Sequence, residues 1–590
     1  METWKVPNES IMILKAVFRL ACALLCIGAS GQHAYAQVAA PIIAGEARVY
    51  PVVASNGMVV SQEATATRVG VEILKAGGNA VDAAVAVGFT LAVTLPRAGN
   101  LGGGGFMLVH LADRNETIAV DYRETAPAAI TRDSFLDASG NADPRKSLDS
   151  GLGVGVPGTV AGLAQAHRDY GSGKFTLAAL IAPAVRLARD GIPVDDDLAD
   201  SLPVARSRLA RWPSSARIFL KENGVALGRG DRLVQADLAA TLEAIAQGGP
   251  DAFYRGAISE KIATSVRAAG GVMTAADLAN YRVVARKPVR GTYRGYDVLS
   301  MPPPSSGGVH LVQLLNMLEQ SPLHASGAGS ADTLHLMIEA MKLAYADRAE
   351  YLGDPDFVRV PVQGLMSKAY AQKLFAGIAP ERARPAREIK PGNPPRSEGD
   401  NTTHYSVIDR FGNAVSNTYT LNLSYGLGLV ADGTGILLNN ELDDFAAKAG
   451  APNAYGLVGG DANAPAPGKR PLSSMTPTIL LKDGKAVLAT GSPGGSRIIT
   501  TVLQVILNAV DHGMNIAEAV MAPRVHHQWL PDEVRAERGL SPDTLRLLEA
   551  RGHKVTVGST SGSANSILVT SGGLTGASDT RQRGTLAAGY

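Results

Sequence analysis

The sequence predicts an α+β globular protein, and three observations support that prediction. Of its 590 residues, 45% are hydrophobic and 19% are charged, which is an ordinary globular composition. Apolar residues recur at helical spacing in several stretches of the first two thirds of the chain. Beyond residue 400, short apolar runs flank turn sequences in the pattern typical of β-hairpins.

Composition and charge exclude several classes of protein. The 56 Lys and Arg residues nearly balance the 54 Asp and Glu residues, and the net charge of +2 indicates no nucleic-acid partner. Only two cysteines are present, so the chain is not a disulfide scaffold. At this length we expect two intertwined domains or one large layered domain.

The elements before residue 379 are mostly helical. The stretch 62–92 predicts two helices separated by Gly77-Gly78-Asn79, and a strand is expected at 107–110 after the glycine run 102–105. That run is expected to pack backbone closely or to hold a phosphate. Further helices are predicted at 176–190, 234–247, 255–269 and 333–350.

The character of the chain changes after a polar stretch rich in Pro and Arg, 379–400, which we interpret as an exposed linker. Two hairpins follow, each made of two apolar runs around a short turn. Their strands are predicted at 404–409 with 414–421, and at 478–482 with 486–489. The remaining elements are helices at 496–511 and 541–552 and strands at 554–557 and 566–570.

Residues 1–36 are interpreted as a secretory signal peptide. Lys15 and Arg19 precede the apolar run 20–29, which is too short to cross a bilayer, and Ala-Tyr-Ala at 34–36 is typical of a cleavage site. Both cysteines lie inside this segment, so the mature chain is expected to contain neither a disulfide nor a cysteine nucleophile.

Export by that signal predicts a periplasmic protein, with release to the medium as the alternative. Translation starts at Met1 or at Met12, and the sequence does not decide between them. An uncleaved N-terminal anchor is the other interpretation of the same segment. No later apolar stretch is long enough to be a membrane span.

The most informative segment is 401–407. Thr402 stands at the start of a predicted strand, directly after the linker. If the chain were cut before Thr402, the hydroxyl would gain an α-amine with a pKa near ~8 as its own base. Threonine alone is a weak nucleophile and needs such a partner. A Thr-Thr pair at a strand start is also an ordinary β-branched strand sequence, and the pattern alone leaves both interpretations open.

Several motifs in fixed order decide between these interpretations. They are 99–106, 121–124, Asp347-Arg348, 402–422, 438–445, 470–475 and 491–497. Together they resemble the γ-glutamyltransferase family, and the resemblance extends over nearly the whole chain after residue 36. The family belongs to the N-terminal nucleophile hydrolases, so the resemblance implies a four-layer αββα sandwich.

The resemblance also implies that the precursor cuts itself between Asn401 and Thr402. The products would be a large subunit, 37–401, and a small subunit, 402–590, which remain associated as a heterodimer. An uncut linker is the alternative.

By resemblance, Thr402 is the nucleophile that attacks the γ-carbonyl of the substrate. Its free amine takes the proton of its hydroxyl, and Thr420 hydrogen-bonds the nucleophile. Gly494 and Gly495 donate backbone N–H groups to the tetrahedral oxyanion, and each such donor can contribute roughly 3 kcal/mol.

The glutamyl head of such a substrate is a zwitterion, so its pocket needs both signs of charge. By resemblance, Arg123 is a fork for the α-carboxylate, with hydrogen bonds from Ser473 and Ser474. The residues expected to hold the α-ammonium are Asn422, Glu441 and Asp444.

Residues 450–460, which include Tyr455, resemble a lid loop that closes over the bound glutamyl group. Some relatives lack this loop, and its presence favours small γ-glutamyl substrates over long polymers. An inert surface loop is the alternative interpretation, since the segment is rich in Pro, Gly and Asn.

The implied activity is that of a γ-glutamyltransferase and glutathione hydrolase without metal or organic cofactor. Glutathione and other γ-glutamyl compounds would be the donors, and water, amino acids or dipeptides the acceptors. The acceptor site is poorly marked in the sequence. Two alternatives remain: an acylase for glutaryl or cephalosporin-type side chains, which lack an α-amine, and a catalytically inactive binding protein.

Overall fold

Two antiparallel seven-stranded sheets form the centre of the fold. The computed structural model describes residues 49–394, 404–558 and 562–590. The described strands are β1 (Val52–Ala54), β2 (Met58–Ser61), β3 (Gly104–Leu111), β4 (Glu116–Tyr122), β5 (Ile192–Pro193), β6 (Arg232–Leu233), β7 (Val284–Arg286), β8 (Val289–Tyr293), β9 (Tyr296–Ser300), β10 (Tyr405–Ile408), β11 (Ala414–Thr420), β12 (Val430–Ala431), β13 (Ile436–Leu437), β14 (Thr478–Lys482), β15 (Lys485–Thr490), β16 (Val525–His526), β17 (Val534–Glu537), β18 (Val555–Gly558), β19 (Asn565–Thr570), β20 (Gly573–Ser578) and β21 (Leu586–Gly589).

Helices cover the outer faces of these sheets and the segments between them. The described helices are α1 (Ala64–Lys75), α2 (Ala80–Thr94), α3 (Pro144–Leu148), α4 (Thr159–Tyr170), α5 (Leu177–Asp190), α6 (Asp196–Leu209), α7 (Pro213–Phe219), α8 (Ala236–Gly248), α9 (Asp251–Tyr254), α10 (Ala257–Ala268), α11 (Ala275–Asn280), α12 (Gly307–Leu318), α13 (Leu323–Ser326), α14 (Ala331–Tyr351), α15 (Val362–Leu365), α16 (Lys368–Phe375), α17 (Ile498–Val510), α18 (Ile516–Met521) and α19 (Pro542–Ala550).

The strand order interleaves distant parts of the chain. The first sheet has the order β1-β20-β19-β15-β14-β9-β8, and the second has the order β21-β2-β10-β11-β3-β4-β7. In the second sheet the β10–β11 hairpin pairs Tyr405 with Asn417 and ends at Thr420, which pairs with Gly104 of β3. Each large sheet therefore combines strands that precede residue 401 with strands that follow it.

Alternation along β3 shows how the layers are stacked. Phe106 and Leu108 enter the core that includes α12, α14 and α17, whereas Met107 and Val109 enter the core that includes α1, α2 and α4. Successive strand residues point to opposite faces of a sheet. One face of the second sheet therefore packs against helices α1, α2 and α4, and its other face packs against the first sheet. The first sheet carries α12 on its outer face. The predicted α+β, four-layer αββα sandwich is confirmed.

The break between α1 and α2 lies where the sequence predicts it. Asn79 caps α2: its side chain accepts from the N–H groups of Val81 and Asp82, and Asp82 reciprocates in a capping box. Gly77 precedes this cap with φ +93, a conformation that favours glycine. Within the described residues, no helix is both long and apolar enough to cross a membrane.

The predicted exposed linker is only partly exposed. Between 379 and 394 the chain buries Ala383, Ala386 and Ile389 while its charged residues face solvent. The sequence lacks periodicity here because single apolar residues, not a helix or strand face, anchor the segment. The rest of the predicted linker, 395–400, lies outside the described residues.

The glycine run 102–105 packs backbone against backbone. A Cβ on Gly102 would lie 2.1 Å from the carbonyl oxygen of Leu437, and one on Gly103 would lie 2.0 Å from that of Thr420. The run therefore supports the end of β11, and close packing accounts for it without a bound phosphate.

Candidate active site

A cavity of about 180 Å³ opens at the end of β11. Most of the predicted site residues line it: Thr420, Asn422, Asp444, Tyr455, Ser473, Ser474, Gly494 and Gly495. Arg123 and Glu441 do not line it and lie in the layer behind Asp444. The predicted nucleophile Thr402 and the predicted cleavage residue Asn401 lie outside the described residues.

Thr420 is fixed from both sides at the floor of this cavity. Its hydroxyl accepts the backbone N–H of Asn422 at 2.9 Å, and its carbonyl oxygen accepts the side-chain amide of Asn100 at 2.9 Å. Asn100 belongs to the glycine-rich segment 99–106. The hydroxyl of Thr420 is therefore presented by a rigid strand end.

Gly494 and Gly495 form a turn that suits a developing negative charge. Their φ angles are +137° and +56°, and neither N–H group donates to another described residue. A Cβ on Gly495 would lie only 2.3 Å from Cδ1 of Tyr455. Glycine is required here both by the left-handed backbone and by the ring that packs on it.

Arg123 is fully buried among carboxylates. Its Nη1 donates to Glu441, its Nη2 donates to Asp444 at 2.7 Å, and its Nε donates to the carbonyl oxygen of Pro471 at 3.2 Å. Glu124 lies 3.7 Å from Nη1. Every guanidinium nitrogen thus has a protein partner, and the group acts in this structure as the centre that positions Glu441 and Asp444.

Burial changes the ionisation of these carboxyls. It raises the pKa of Glu441 and of Asp444, although the Arg123 charge opposes the effect at both. Burial lowers the pKa of Arg123, but the carboxylates of Glu441, Glu124 and Asp444 outweigh it and hold the pKa above its usual value. Asp444 therefore faces the cavity as an acid whose charge depends on Arg123.

Glu124 is the most isolated acid of this cluster. Both of its carboxyl oxygens are buried without a hydrogen-bond partner among the described residues, and burial raises its pKa to about 7. The cluster thus places three carboxyl groups around the single guanidinium of Arg123, and this excess of acidic groups favours binding of a cation.

The Glu124 pKa makes stability depend on pH. Because the folded pKa is raised, the folded state binds more protons between about pH 4.5 and 7, and the free energy of unfolding falls as pH rises through that window. Glu124→Gln should reduce this fall by on the order of 3 kcal/mol. Urea titrations of the wild type and the variant at pH 4.5 and pH 8 measure the free energy of unfolding at each pH. The exposed Glu116→Gln is the matched control, and equal pH dependence in both variants would contradict the assignment.

Two serines of the cavity are backed by a buried arginine. The Ser474 hydroxyl accepts Nη2 of Arg348 at 3.2 Å, and Nε of the same guanidinium donates to the hydroxyl of Ser306 at 3.0 Å. Ser473 joins this group through its carbonyl oxygen, which accepts the Ser306 hydroxyl at 2.9 Å. A buried cation thus stands directly behind the hydroxyl that was expected to bind a carboxylate.

Tyr455 closes the cavity from above. Its hydroxyl donates to the carbonyl oxygen of Asn422 at 2.7 Å, and its loop is tied down by Asn453, whose side-chain amide donates to Asp444 at 2.9 Å. The Oδ1 of Asn422 is buried without a partner among the described residues. The loop is therefore docked over the cavity, close to an acceptor without a partner, as the predicted lid requires.

Three residues of this site were not assigned roles from the sequence. Glu124 and Arg348 belong to the motifs 121–124 and Asp347-Arg348, and Asn453 belongs to the predicted lid loop 450–460, but the sequence gives none of the three a role of its own. The Asp347-Arg348 motif in helix α14 was a usable signal for Arg348. Nothing in the sequence separates Glu124 from an ordinary surface acid, because its isolation follows from packing of distant segments.

A possible metal-binding group among the described residues consists of His335, Glu339 and His553. His335 Nδ1 and His553 Nε2 are 2.8 Å apart, and Glu339 accepts the ammonium of Lys342 at 2.8 Å. None of these residues lines the cavity. The two histidines bond to each other and the Lys342 ammonium already neutralises Glu339, which favours a structural role for the group.

Comparisons with known proteins agree with this geometry. The gamma-glutamyltranspeptidase family model matches residues 66–589. The glutathione hydrolase proenzyme of Escherichia coli strain K12 is 57% identical over 576 residues, which cover 97% of this chain and 99% of that protein.

Solved structures show the same architecture. A cephalosporin acylase from Bacillus halodurans superimposes with a TM-score of 0.82 at 30% identity, covering 92% of this chain and 97% of that chain. A gamma-glutamyltranspeptidase chain from Helicobacter pylori has a TM-score of 0.56 at 46% identity, covering 59% of this chain and 97% of that one. With a family model that spans most of the sequence, the chain belongs to the gamma-glutamyltranspeptidase family.

Proposed function

We propose that this protein hydrolyses glutathione and other γ-glutamyl amides and transfers the glutamyl group to amino acids or dipeptides. One observation carries the proposal: a single cavity combines the two unpaired N–H groups at Gly494 and Gly495 with the acceptors of Asp444 and Asn422. The first pair suits an oxyanion, and the second suits an α-ammonium group.

The proposed nucleophile is made by self-cleavage. Thr402 Oγ attacks the carbonyl carbon of Asn401, the acyl group moves from nitrogen to oxygen, and water hydrolyses the ester. The products are the segments 37–401 and 402–590, the second with a free amine at its first residue. His404, the residue before β10, hydrogen-bonds Thr418 of the paired strand β11, two residues from Thr420, which supports this role for Thr402.

Catalysis then proceeds through an acyl-enzyme. The amine of Thr402 takes the hydroxyl proton while Oγ attacks the γ-carbonyl carbon, and the oxyanion accepts from the N–H groups of Gly494 and Gly495. Collapse breaks the amide bond, and the leaving nitrogen receives the proton from the Thr402 amine. Water or an acceptor amine attacks the ester, giving glutamate or a new γ-glutamyl amide.

Recognition of the glutamyl head uses two sets of the residues that line the cavity. Asp444 and Asn422 accept from the α-ammonium group. The α-carboxylate binds at Ser473 and Ser474, with the charge of Arg348 behind them. Arg123 contributes by holding Asp444 and Glu441 in place.

The acylase alternative has a specific observation in its favour, the close superposition on a cephalosporin acylase. That alternative predicts a donor without an α-amine. The presence of Asp444 and the unpartnered Asn422 Oδ1 favours a γ-glutamyl donor instead.

Release of p-nitroaniline from γ-glutamyl-p-nitroanilide, with and without glycylglycine, tests the proposal. We expect release by the purified protein and acceleration by the dipeptide. Glutaryl-p-nitroanilide, which lacks the α-amine, is the matched substrate and should react far more slowly. Preference for the glutaryl compound by protein cut before Thr402 would support the acylase alternative and overturn the glutamyl assignment.

The lid gives a second prediction. Tyr455→Phe removes the hydroxyl bond to the Asn422 carbonyl but keeps the ring on Gly495, and a neutral hydrogen bond contributes about 1 kcal/mol. We expect KM for γ-glutamyl-p-nitroanilide to rise about fivefold with little change in kcat. Tyr296→Phe, on β9 outside the cavity, is the control, and an unchanged KM in the lid variant would contradict this role.

We also propose that the mature protein is periplasmic. The charged residues, apolar run and Ala-Tyr-Ala site within 1–36 support export, and these residues lie outside the described part of the chain. Osmotic-shock fractionation with sequencing of the mature N-terminus tests the proposal, and activity confined to the cytoplasmic fraction would contradict it.

A further inference from the structure

A second cavity adjoins the glutamyl cavity. It measures about 420 Å³ and shares Ser424 with the first. The first cavity, at about 180 Å³, is smaller than the roughly 300–1,000 Å³ that enclose a drug-sized ligand, so part of a peptide substrate must lie beyond it. The lining of the second cavity is Ser201, Val204, Ala205, Ser207, Arg208, Leu423 and Ser424.

We propose that this second cavity binds the C-terminal carboxylate of the peptide that leaves from, or is joined to, the glutamyl group, and that Arg208 is its ligand. The inference rests on the proposed function and adds a binding site to it. Both the leaving peptide of glutathione and a dipeptide acceptor carry a reacting amine at one end and a carboxylate at the other. The amine must reach the acyl group, which leaves the carboxylate to the adjoining space.

Arg208 is a cation without an acidic partner at the edge of the site. Its Nη1 donates to the carbonyl oxygens of Ser424 at 3.1 Å and Gly426 at 3.3 Å, and it forms no ion pair with a described carboxylate. Two neighbouring arginines are neutralised. Arg97 forms two bonds with Asp197, and Arg211 pairs with Asp149.

The Arg208 side chain is held against the segment 424–428, which includes Ser424, the residue that lines both cavities. A Cβ on Gly428 would lie 2.6 Å from Cγ of Arg208, so the glycine provides the space in which the stem lies. Burial lowers the pKa of Arg208; the charge of Asp149 opposes this effect and that of Arg211 adds to it. A half-buried, fixed guanidinium binds a carboxylate more strongly than an exposed one, and its fork can bind both oxygens.

The test compares carboxylate and amide forms of one acceptor. Transfer from γ-glutamyl-p-nitroanilide is measured with glycylglycine and with glycylglycinamide, for the wild type and for Arg208→Gln. We expect the ratio of KM for glycylglycine to KM for the amide to rise about tenfold in the variant. Arg208→Lys, which keeps the charge but not the fork, should give an intermediate ratio.

A second experiment varies the donor in place of the acceptor. KM for hydrolysis is measured with glutathione and with glutathione amidated at its glycine carboxylate, without an added acceptor. A raised KM ratio in this arm assigns the cavity to the leaving peptide, and a raised ratio in the glycylglycine arm assigns it to the acceptor. Either result supports the carboxylate site. Unchanged ratios in both arms, with a melting temperature equal to the wild type, would overturn it.

Arg206→Gln is the matched control, because Arg206 lies on the same helix and its Nε donates only to the carbonyl oxygen of Gly224. Its KM ratios should equal those of the wild type. Failure of the wild type to release p-nitroaniline would defeat the proposed function, and this subsite with it. Release with unchanged ratios would defeat the subsite alone.

Discussion

Replacement of Thr402 by alanine should yield a single uncut chain with no measurable glutamyl transfer. The proposed mechanism uses the same hydroxyl first to cut the chain and then to attack the substrate, so one substitution removes both steps. Loss of such a nucleophile lowers kcat by roughly 10⁴- to 10⁶-fold. Denaturing electrophoresis and p-nitroaniline release measure the two effects.

Two variants make this result specific. Thr402→Ser keeps a hydroxyl and should still cut and turn over, at lower rates. Thr403→Ala alters the next residue and should cut normally. N-terminal sequencing of the smaller product should begin at Thr402, and a cut Thr402→Ala chain or a different first residue would refute the assignment.

Replacement of Arg123 by glutamine should be the most damaging change in the binding cluster. It leaves the carboxylates of Glu441 and Asp444 buried without their cation, and breaking a buried ion pair from one side costs about 3–5 kcal/mol. Asp444 also loses the bond that aims it at the cavity, so we expect kcat/KM for γ-glutamyl-p-nitroanilide to fall about 10³-fold.

A double variant separates stability from recognition. Arg123→Gln combined with Glu441→Gln removes one unpaired charge and should recover part of the melting temperature but little of kcat/KM. Arg132→Gln is the control, because Arg132 pairs with Asp461 at the surface and such pairs contribute about 0–1 kcal/mol. Full recovery of kcat/KM in the double variant would show that Arg123 acts only through charge balance.

The sequence predicts the local elements of this fold well. The interruption at Gly77-Gly78-Asn79 and the β10–β11 hairpin follow from turn and capping chemistry between adjacent residues. The layered arrangement followed only from family resemblance, because strands that pair in the second sheet, such as β2 and β21, are separated by most of the chain. Local patterns carry no information about such pairings.

The same distinction holds for the candidate site. The glycine turn at Gly494 and the loop with Tyr455 are contiguous motifs, and both line one cavity in the structure. The geometry of Arg123 was not predictable, since its three nitrogens are occupied by residues more than 300 positions away. Arg208 carries no motif, and only the packing of α6 against the segment after β11 brings it to the site.

The mixed origin of the strands in each large sheet has a kinetic consequence. An uncut precursor refolds as one molecule, and its rate should not depend on protein concentration. After the proposed cut at residue 402, β10, β11 and β21 must meet β2, β3 and β4 on a separate polypeptide. Regain of structure then becomes a bimolecular reaction, slower on dilution, and unfolding of the cut enzyme in dilute solution becomes effectively irreversible.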